Sequence, residues 1–213
     1  MIPILYSDRH LAVVFKPAGL LSQEDAAGRD SLPLRLKTEL GGEILPVHRL
    51  DRETAGLMVF ARTKKAAAHL SAVIAEGGMQ KEYLAVLTSP PDFEGELEDL
   101  LFFDRTKNKV FPVKKERRGV KRALLSWESL EEKEGLTLVR VFPKTGRTHQ
   151  IRVQFASRGC PLWGDAKYGG GTGGVALFCA GLGFPHPDGR KLAFAATPER
   201  AFPWSLFSLG ETE

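Results

Sequence analysis

Residues 45–63 read LPVHRLDRETAGLMVFART, a stretch that places a cluster of charged side chains between two apolar runs. The cluster consists of His48, Arg49, Asp51, Arg52 and Glu53. The run that follows, over 56–60, is apolar and partly β-branched, which is typical of a buried strand. Charged residues crowded beside a strand indicate either a functional site or a solvated turn. An ionised Asp51 could serve a functional site as a nucleophile or a base.

Outward from this stretch, short apolar segments recur along the chain and predict strands. They cover 11–15, 56–60, 83–87, 123–127, 136–142 and 176–184. Helical spacing predicts one helix capped by Thr63 and ended by Gly77, a second from Thr148 to Gly159, and a third over 31–40. Many strands with few helices, in no regular alternation, predict an α+β fold with a mixed, mainly antiparallel sheet on which the helices pack.

The composition is that of an ordinary globular protein, with 43% apolar and 26% charged residues in a chain of 213. We therefore predict one domain over 1–213. The start has no signal-peptide pattern and no segment approaches ~20 consecutive apolar residues, which predicts a cytoplasmic protein without membrane contact. The two cysteines, Cys160 and Cys179, are too few for a disulfide framework or a zinc site, and no metal or cofactor is predicted.

Positive charge is concentrated in one segment. Residues 105–122 hold nine lysines or arginines against one acid, whereas residues 92–99 are mainly acidic. The basic segment indicates a positively charged arm or hairpin that could bind a polyanion, although a solvated loop would have the same composition. The candidate contacts in it are Lys114, Lys115, Arg117 and Arg118. The glycine-rich stretch 169–174 lacks the residues of a nucleotide-binding loop and is predicted to be a flexible loop.

Two further segments hold candidate site residues. Lys81 and Tyr83 lie two apart in a predicted strand and therefore share one of its faces. Tyr83 could be a core residue or a platform on which an RNA base stacks. Around the predicted start of the second helix lie Lys144, Arg147, His149, Gln150 and Arg152, and a helix N-terminus beside basic side chains favours anions.

Taken together, these motifs resemble the RluA family of pseudouridine synthases. The resemblance includes His48-Arg49-Leu50-Asp51 with Thr54 and Gly56-Leu57, Lys81-x-Tyr83, the run from Thr145 to Val153, and Gly164-Asp165-x-x-Tyr168-Gly169. It extends to Lys16-Pro17-x-Gly19-Leu20 near the start and to His186-Pro187 near the end, and so covers nearly the whole chain. We expect no N-terminal RNA-binding domain, because few residues precede the first predicted strand.

The resemblance implies an enzyme that isomerises uridine in structured ribosomal or transfer RNA, without a cofactor, in a central catalytic cleft. It implies that Asp51 is the catalytic aspartate, Tyr83 the residue that stacks on the target base, and Arg152 the partner of the aspartate. Arg49 matches the residue that fills the gap left by the flipped nucleotide. The remaining expected RNA contacts are His48, Arg52, Lys81, Arg147, His149 and Gln150, together with the four of the basic segment.

Two other functions fit parts of the pattern. An RNA-binding module without activity would keep the basic surface and tolerate changes at Asp51. A glycosidase could use Asp51 and Glu53 as paired carboxylates, but the neighbouring arginines disfavour the protonated acid that such an enzyme needs. We expect RNA to be the partner of a monomer that needs no other protein.

Overall fold

Strands account for most of the regular structure in the computed structural model, which describes residues 1–91 and 95–209. They are β1 (Ile4–Ser7), β2 (Leu11–Lys16), β3 (Leu45–Pro46), β4 (Ala55–Ala61), β5 (Gln80–Leu87), β6 (Gly95–Asp104), β7 (Lys109–Val113), β8 (Val120–Lys133), β9 (Leu136–Pro143), β10 (Leu177–Pro185) and β11 (Lys191–Ala195). The helices are α1 (Leu32–Leu40), α2 (Lys64–Ala75) and α3 (Gln150–Ala156). All six predicted strands and all three predicted helices are present. Residues 92–94 of the acidic stretch lie outside the described residues.

The described residues group into two compact units, which separate near Lys81 and again near Cys179 and Pro198. The first unit contains 1–81 and 179–198. The second contains 82–178 and 199–209, apart from 92–94. One domain over 1–213 stays a prediction.

The first unit is built on antiparallel strands. β2 pairs with β1 and β4, β4 also pairs with β3, and β10 pairs with β11. The core strands β2 and β4 are apolar along their length, and Val13, Val59 and Phe60 are fully buried. Such continuous apolar runs are typical of strands buried on both faces.

Helix α2 of the first unit begins and ends where the sequence predicts. The Thr63 hydroxyl accepts a hydrogen bond from the Ala66 amide at 3.1 Å, which caps the helix. Its buried residues, Ala66, Leu70 and Val73, recur at helical spacing and pack toward β4. Gly77 follows with a φ of 75°, the left-handed conformation that favours glycine at a helix end.

The second unit is an antiparallel series in the order β5, β9, β8, β6, β7. Strand β7 and the start of β8 lie in the basic segment, and β6, which precedes the segment, pairs with both of them, so the predicted arm contains the β6–β7 hairpin. Helix α3 lies near β6 and β7. It is shorter than predicted and starts at Gln150, because His149 has a left-handed φ of 50°. No helix in the described part of the chain combines the length and apolarity needed to cross a bilayer.

Candidate active site

The loop that carries Asp51 is fixed by a buried lysine. The Lys16 ammonium donates to three main-chain carbonyls, those of Pro17 at 3.0 Å, Arg52 at 3.0 Å and Thr54 at 2.7 Å. Lys16 is completely buried, while Asp51 is only partly buried. Two of these carbonyls lie on the C-terminal side of Asp51, so the ammonium determines the path of the chain that leaves it.

Two further contacts hold the loop from the same unit. The Ser22 hydroxyl donates to the Leu50 carbonyl at 2.7 Å and accepts from the Leu50 amide at 3.1 Å, directly before Asp51. After Asp51, the Gly19 amide donates to the Arg52 carbonyl at 2.8 Å, and Arg52 Nε donates to the Gly19 carbonyl at 2.9 Å. The loop is therefore anchored on both sides of Asp51 by bonds to its backbone.

Burial also changes the acidity of the lysine. Removal from water disfavours the ammonium and lowers the pKa of Lys16 to about 8, although the nearby Glu53 and Asp51 carboxylates oppose this change. At neutral pH Lys16 is therefore mostly protonated, but its pKa lies only about one unit above the pH. The positive charge that anchors the loop is sensitive to mild alkali.

His48 and Lys81 form a second basic pair in the first unit, and both residues are partly buried. Burial, followed by the Lys81 charge, holds the pKa of His48 well below its usual range, so the imidazole is neutral. His48 Nε2 accepts a hydrogen bond from the Val59 amide at 3.0 Å, and the proton consequently resides on Nδ1. Burial likewise lowers the pKa of Lys81.

Exposed arginines surround the start of the same loop. Arg49 and Arg52 are exposed, and Arg52 lines a cleft of about 490 Å³ in the first unit. The other lining residues are 17–21, Arg29, Asp30 and Arg35. Arg29 and Arg35 are each paired with an aspartate, Asp25 and Asp30.

In the second unit, Arg152 is held by a carboxylate. Its Nε and Nη2 donate to the two oxygens of Asp165 at 2.7 and 2.8 Å, which is the bidentate geometry of a strong charge-assisted pair. Arg152 is 3% exposed and Asp165 is fully buried. Both charges are therefore shielded from water, and the guanidinium has a fixed orientation.

The glycine-rich loop shapes the site of Asp165 and is tightly packed at two positions. A Cβ at Gly164, where φ is 75°, would lie 2.0 Å from the Gly174 carbonyl oxygen. A Cβ at Gly170 would lie 1.7 Å from the Leu162 carbonyl oxygen. The Asp165 carbonyl also accepts from the amides of Gly169 and Gly170 at 3.0 and 2.9 Å. The prediction of a flexible loop over 169–174 misses these contacts, in which Gly170 and Gly174 take part.

Tyr168 connects Arg152 to strand β7. Its hydroxyl accepts from the Val110 amide at 2.9 Å and is 2.8 Å from His149 Nδ1. The Arg152 guanidinium carbon lies 5.4 Å from the centre of the Tyr168 ring, within cation–π range. His149, predicted as an RNA contact, thus has its Nδ1 engaged with another side chain.

The remaining predicted residues of the second unit differ in exposure. Tyr83 is 8% exposed in β5, opposite Val141. Arg147 is exposed, and its Nε donates to the Arg122 carbonyl at 2.9 Å. Gln150 is buried. Its side-chain oxygen accepts from the Thr145 hydroxyl and from the main-chain amide of Arg147, and its side-chain nitrogen donates to the Leu124 carbonyl. We therefore expect Gln150 to shape the 145–150 turn. Lys114, Lys115, Arg117 and Arg118 are all exposed.

The structure brings the predicted residues together within two groups. His48, Arg49, Asp51, Arg52 and Lys81 belong to the first unit, and Tyr83, Arg147, His149, Gln150 and Arg152 to the second. The predicted pairing of Asp51 with Arg152 stays a prediction. Sequence reasoning assigned no role to Lys16, Ser22, Asp165 or Tyr168. Lys16, Asp165 and Tyr168 lie in motifs that carry the family resemblance. Their place in these motifs was the sequence signal that could have identified them as site residues.

Comparisons with known proteins identify the family of the chain. The family described as RNA pseudouridylate synthase matches residues 10–157. "Ribosomal large subunit pseudouridine synthase D" of Zymomonas mobilis is 31% identical over 91% of this chain and 68% of that protein. "tRNA pseudouridine synthase C" of Vibrio vulnificus is 31% identical over 80% of this chain and 75% of that protein.

A solved structure is similar over nearly the whole length. The human protein "RNA Pseudouridylate Synthase Domain Containing 1" has a TM-score of 0.78 at 25% identity, covering 97% of this chain and 86% of that one. The chain belongs to the RNA pseudouridylate synthase family and is an enzyme that isomerises uridine to pseudouridine in RNA. The predicted family, α+β fold class and activity are confirmed.

Proposed function

We propose that this enzyme modifies specific uridines in structured ribosomal or transfer RNA, with Asp51 as the catalytic carboxylate. The observation that carries the proposal is the anchoring of the Asp51 loop. Lys16, Ser22 and Gly19 bind its backbone on both sides, while the Asp51 side chain stays partly exposed. An anchored loop that presents a partly exposed carboxylate is suited to reaction with a ligand, because positioning lowers the barrier. Names of relatives in both RNA classes support the substrate range.

The reaction breaks the bond between uracil N1 and the sugar, turns the base and forms a bond from C5 to the sugar. The proton lost from C5 is balanced by the proton gained at N1, so no redox partner is needed. Asp51 acts by attacking the sugar, by attacking the ring, or by removing a sugar proton. Each route needs an ionised carboxylate, and in this proposal Arg152 keeps it charged and oriented.

The target uridine must leave its stack, which costs a few kcal/mol. Arg49 is exposed beside Asp51 and takes the place of the flipped base. Tyr83 supplies an aromatic surface for the uracil, and its hydroxyl relays the C5 proton, accepting it while passing its own proton to water. Replacement by phenylalanine would keep the stacking surface and block that final step.

The remaining cations contribute binding. Arg52, Arg147 and the exposed residues Lys114, Lys115, Arg117 and Arg118 hold backbone phosphates, which makes affinity fall with salt. His48 and Lys81 contribute from their partly buried positions, and His149 and Gln150 contribute at the start of α3. The enzyme acts in the cytoplasm as a single-domain monomer with no obligate protein partner. Light scattering after gel filtration measures its oligomeric state directly.

The decisive experiment compares two neighbouring carboxylates. Asp51→Asn should abolish tritium release from RNA labelled at uridine C5, while RNA affinity stays within a few fold, because many cations supply the binding. Glu53→Gln is the matched control and should retain turnover, since Glu53 is exposed on the same loop. Near-normal turnover by Asp51→Asn would remove Asp51 from its role. Mapping pseudouridines in total RNA with and without the gene identifies the substrate.

A further inference from the structure

One face of the β6–β7–β8 sheet, here called the outer face, carries half-buried aromatic and aliphatic side chains. Phe102 is opposite Phe111 on β7 and Val120 on β8, and Leu100 is opposite Val113. Directly opposed residues of antiparallel strands, and residues two apart on one strand, project to the same side. These five side chains therefore form one continuous surface, and each remains partly exposed.

The other side of the same strands contributes to the protein core, although Phe103 on that side is 37% exposed. Leu101, Val110 and Ala123 alternate with the outer residues and are buried in a cluster with Val153 of α3. The inner side of the sheet thus supplies its contacts with the hydrophobic core. The half-buried rings of the outer face lie outside this cluster.

Cations lie over the outer rings. The Arg117 guanidinium carbon is 4.6 Å from the centre of the Phe102 ring. The ammonium groups of Lys107 and Lys109 are 5.6 and 5.9 Å from the centre of the Phe111 ring. An aromatic ring beside a guanidinium plane offers two surfaces on which a nucleobase stacks.

Charge and chemistry together select the ligand. The segment 105–122 holds nine lysines or arginines against one acid, so it attracts a polyanion. Phosphates alone would need only the cations. Rings that are presented among the cations fit a polyanion with exposed aromatic faces, and in RNA these faces are accessible where the nucleotides are unpaired.

We propose that the outer face binds unpaired nucleotides of the substrate RNA, whose bases stack on Phe102 and Phe111 and whose phosphates pair with Lys107, Lys109 and Arg117. The inference rests on the proposed function and adds a substrate class to it. The preferred RNA presents single-stranded nucleotides in addition to the target uridine. A fully paired duplex would satisfy the cations and leave the rings unused.

The test measures affinity for three ligands of equal length: a single-stranded RNA oligonucleotide, its duplex and an abasic oligonucleotide. Phe102→Leu and Phe111→Leu remove the rings and should each weaken binding to the single strand about tenfold. Binding to the duplex and to the abasic strand should change less than twofold. Phe102→Trp and Phe111→Tyr keep a ring and should restore the single-strand affinity.

Phe142→Leu is the matched control. Phe142 is opposite Ser126, which is opposite Glu96, so it projects to the same side of the sheet, away from the basic segment. It is 38% exposed. This variant should bind all three ligands as the unchanged protein does. Thermal unfolding of each variant identifies any that fails to fold, and the ring-retaining variants then carry the test.

A spectroscopic measurement separates stacking from charge. A 2-aminopurine base within the single strand should lose fluorescence on binding, and this quenching should disappear in Phe111→Leu. Arg117→Gln should instead reduce the dependence of affinity on salt, because one phosphate contact is lost. Phenylalanine variants that behave like Phe142→Leu, or that weaken duplex and abasic binding equally, would overturn the proposal.

Failure of this inference and failure of the proposed function give different results. If the enzyme releases tritium from cellular RNA and the phenylalanine variants bind single strands normally, only the proposed role of the outer face is overturned. If single strands bind in a ring-dependent way but ribosomal and transfer RNA release no tritium, the proposed substrates are overturned and the proposed role of the outer face stands.

Discussion

The Asp51 loop and the Arg152 side chain are each held by a buried charged residue, but by different chemistry. Lys16 donates to three main-chain carbonyls, whereas Asp165 accepts from one specific side chain. Carbonyls are present at every residue, so the lysine contacts do not depend on the side chains at 17, 52 and 54. The ion pair depends on both partners.

This difference between main-chain contacts and a side-chain ion pair predicts how each region responds to substitution. Removing a partner from a buried ion pair leaves a charge without compensation, which is costly to the whole fold. Loss of an ammonium from a loop leaves neutral carbonyls, which water can reach if the loop moves. We therefore expect damage to Asp165 to appear mainly in stability and damage to Lys16 mainly in catalysis.

The largest effect is expected for Asp165→Asn. This variant removes the buried carboxylate that holds Arg152 in a bidentate pair and should lower the free energy of unfolding by about 3–5 kcal/mol, measured by urea denaturation. Glu98→Gln is the control, because it removes the partner of Arg122 from an exposed pair and should cost about 1 kcal/mol or less.

A double variant, Arg152→Met with Asp165→Leu, sharpens this result. It removes both charges and should recover most of the lost stability, because well-packed apolar residues often replace a buried pair without loss. Catalysis should not recover, since the proposed partner of Asp51 is gone. A loss of less than 1 kcal/mol in Asp165→Asn would contradict the view that this pair is shielded from water.

The next effect is on turnover by Lys16→Met. Without the ammonium, the carbonyls of Arg52 and Thr54 lose this anchor and Asp51 is displaced, which should lower kcat about a hundredfold. The KM for RNA should remain within a few fold, because the exposed cations are unchanged. Lys64→Met, at the exposed start of α2, is the control. Equal losses in both lysine variants would argue against a positioning role for Lys16.

Lys16 also predicts a pH dependence of stability. Its pKa is about 8 in the folded protein against an ordinary value of 10.5, so below pH 8 both states hold the proton and the full ionisation cost is present. Above pH 8 the folded state releases a proton that the unfolded state retains. The free energy of unfolding, relative to Lys16→Met, should then rise by up to about 1.4 kcal/mol per pH unit until about pH 10.5. A difference that stays constant over this range would refute the lowered pKa.

The regular elements could be predicted because their signals are local. The apolar run 56–60 and the spacing of Ala66, Leu70 and Val73 depend on residues near one another in the chain. Strand β6 was not predicted, because acidic residues occupy much of its first half and interrupt the apolar pattern that marks a strand. Glu96 and Glu98 in fact alternate with Leu97, which is buried on the inner side.

The supporting residues of the site could not be predicted because their partners are distant or unusual. A lysine is normally exposed, and nothing near Lys16 in the sequence indicates that carbonyls at 52 and 54 will surround it. The tight packing of Gly164 depends on Gly174, which the loop brings close only after folding. Resemblance marked these residues as motif positions and left their physical roles open.

The smallest effect concerns two buried serines of the first unit. Ser22→Ala removes a hydroxyl that bonds both the amide and the carbonyl of Leu50, and should cost about 1–2 kcal/mol of unfolding free energy. Ser31→Ala is the control, because the Ser31 hydroxyl is also buried but has no hydrogen-bond partner among the described residues. Its removal should be neutral or slightly stabilising, since an unpaired polar group is costly to bury. Equal losses would mean that filling space at these positions, rather than bonding to the loop, is what stabilises the region around Asp51.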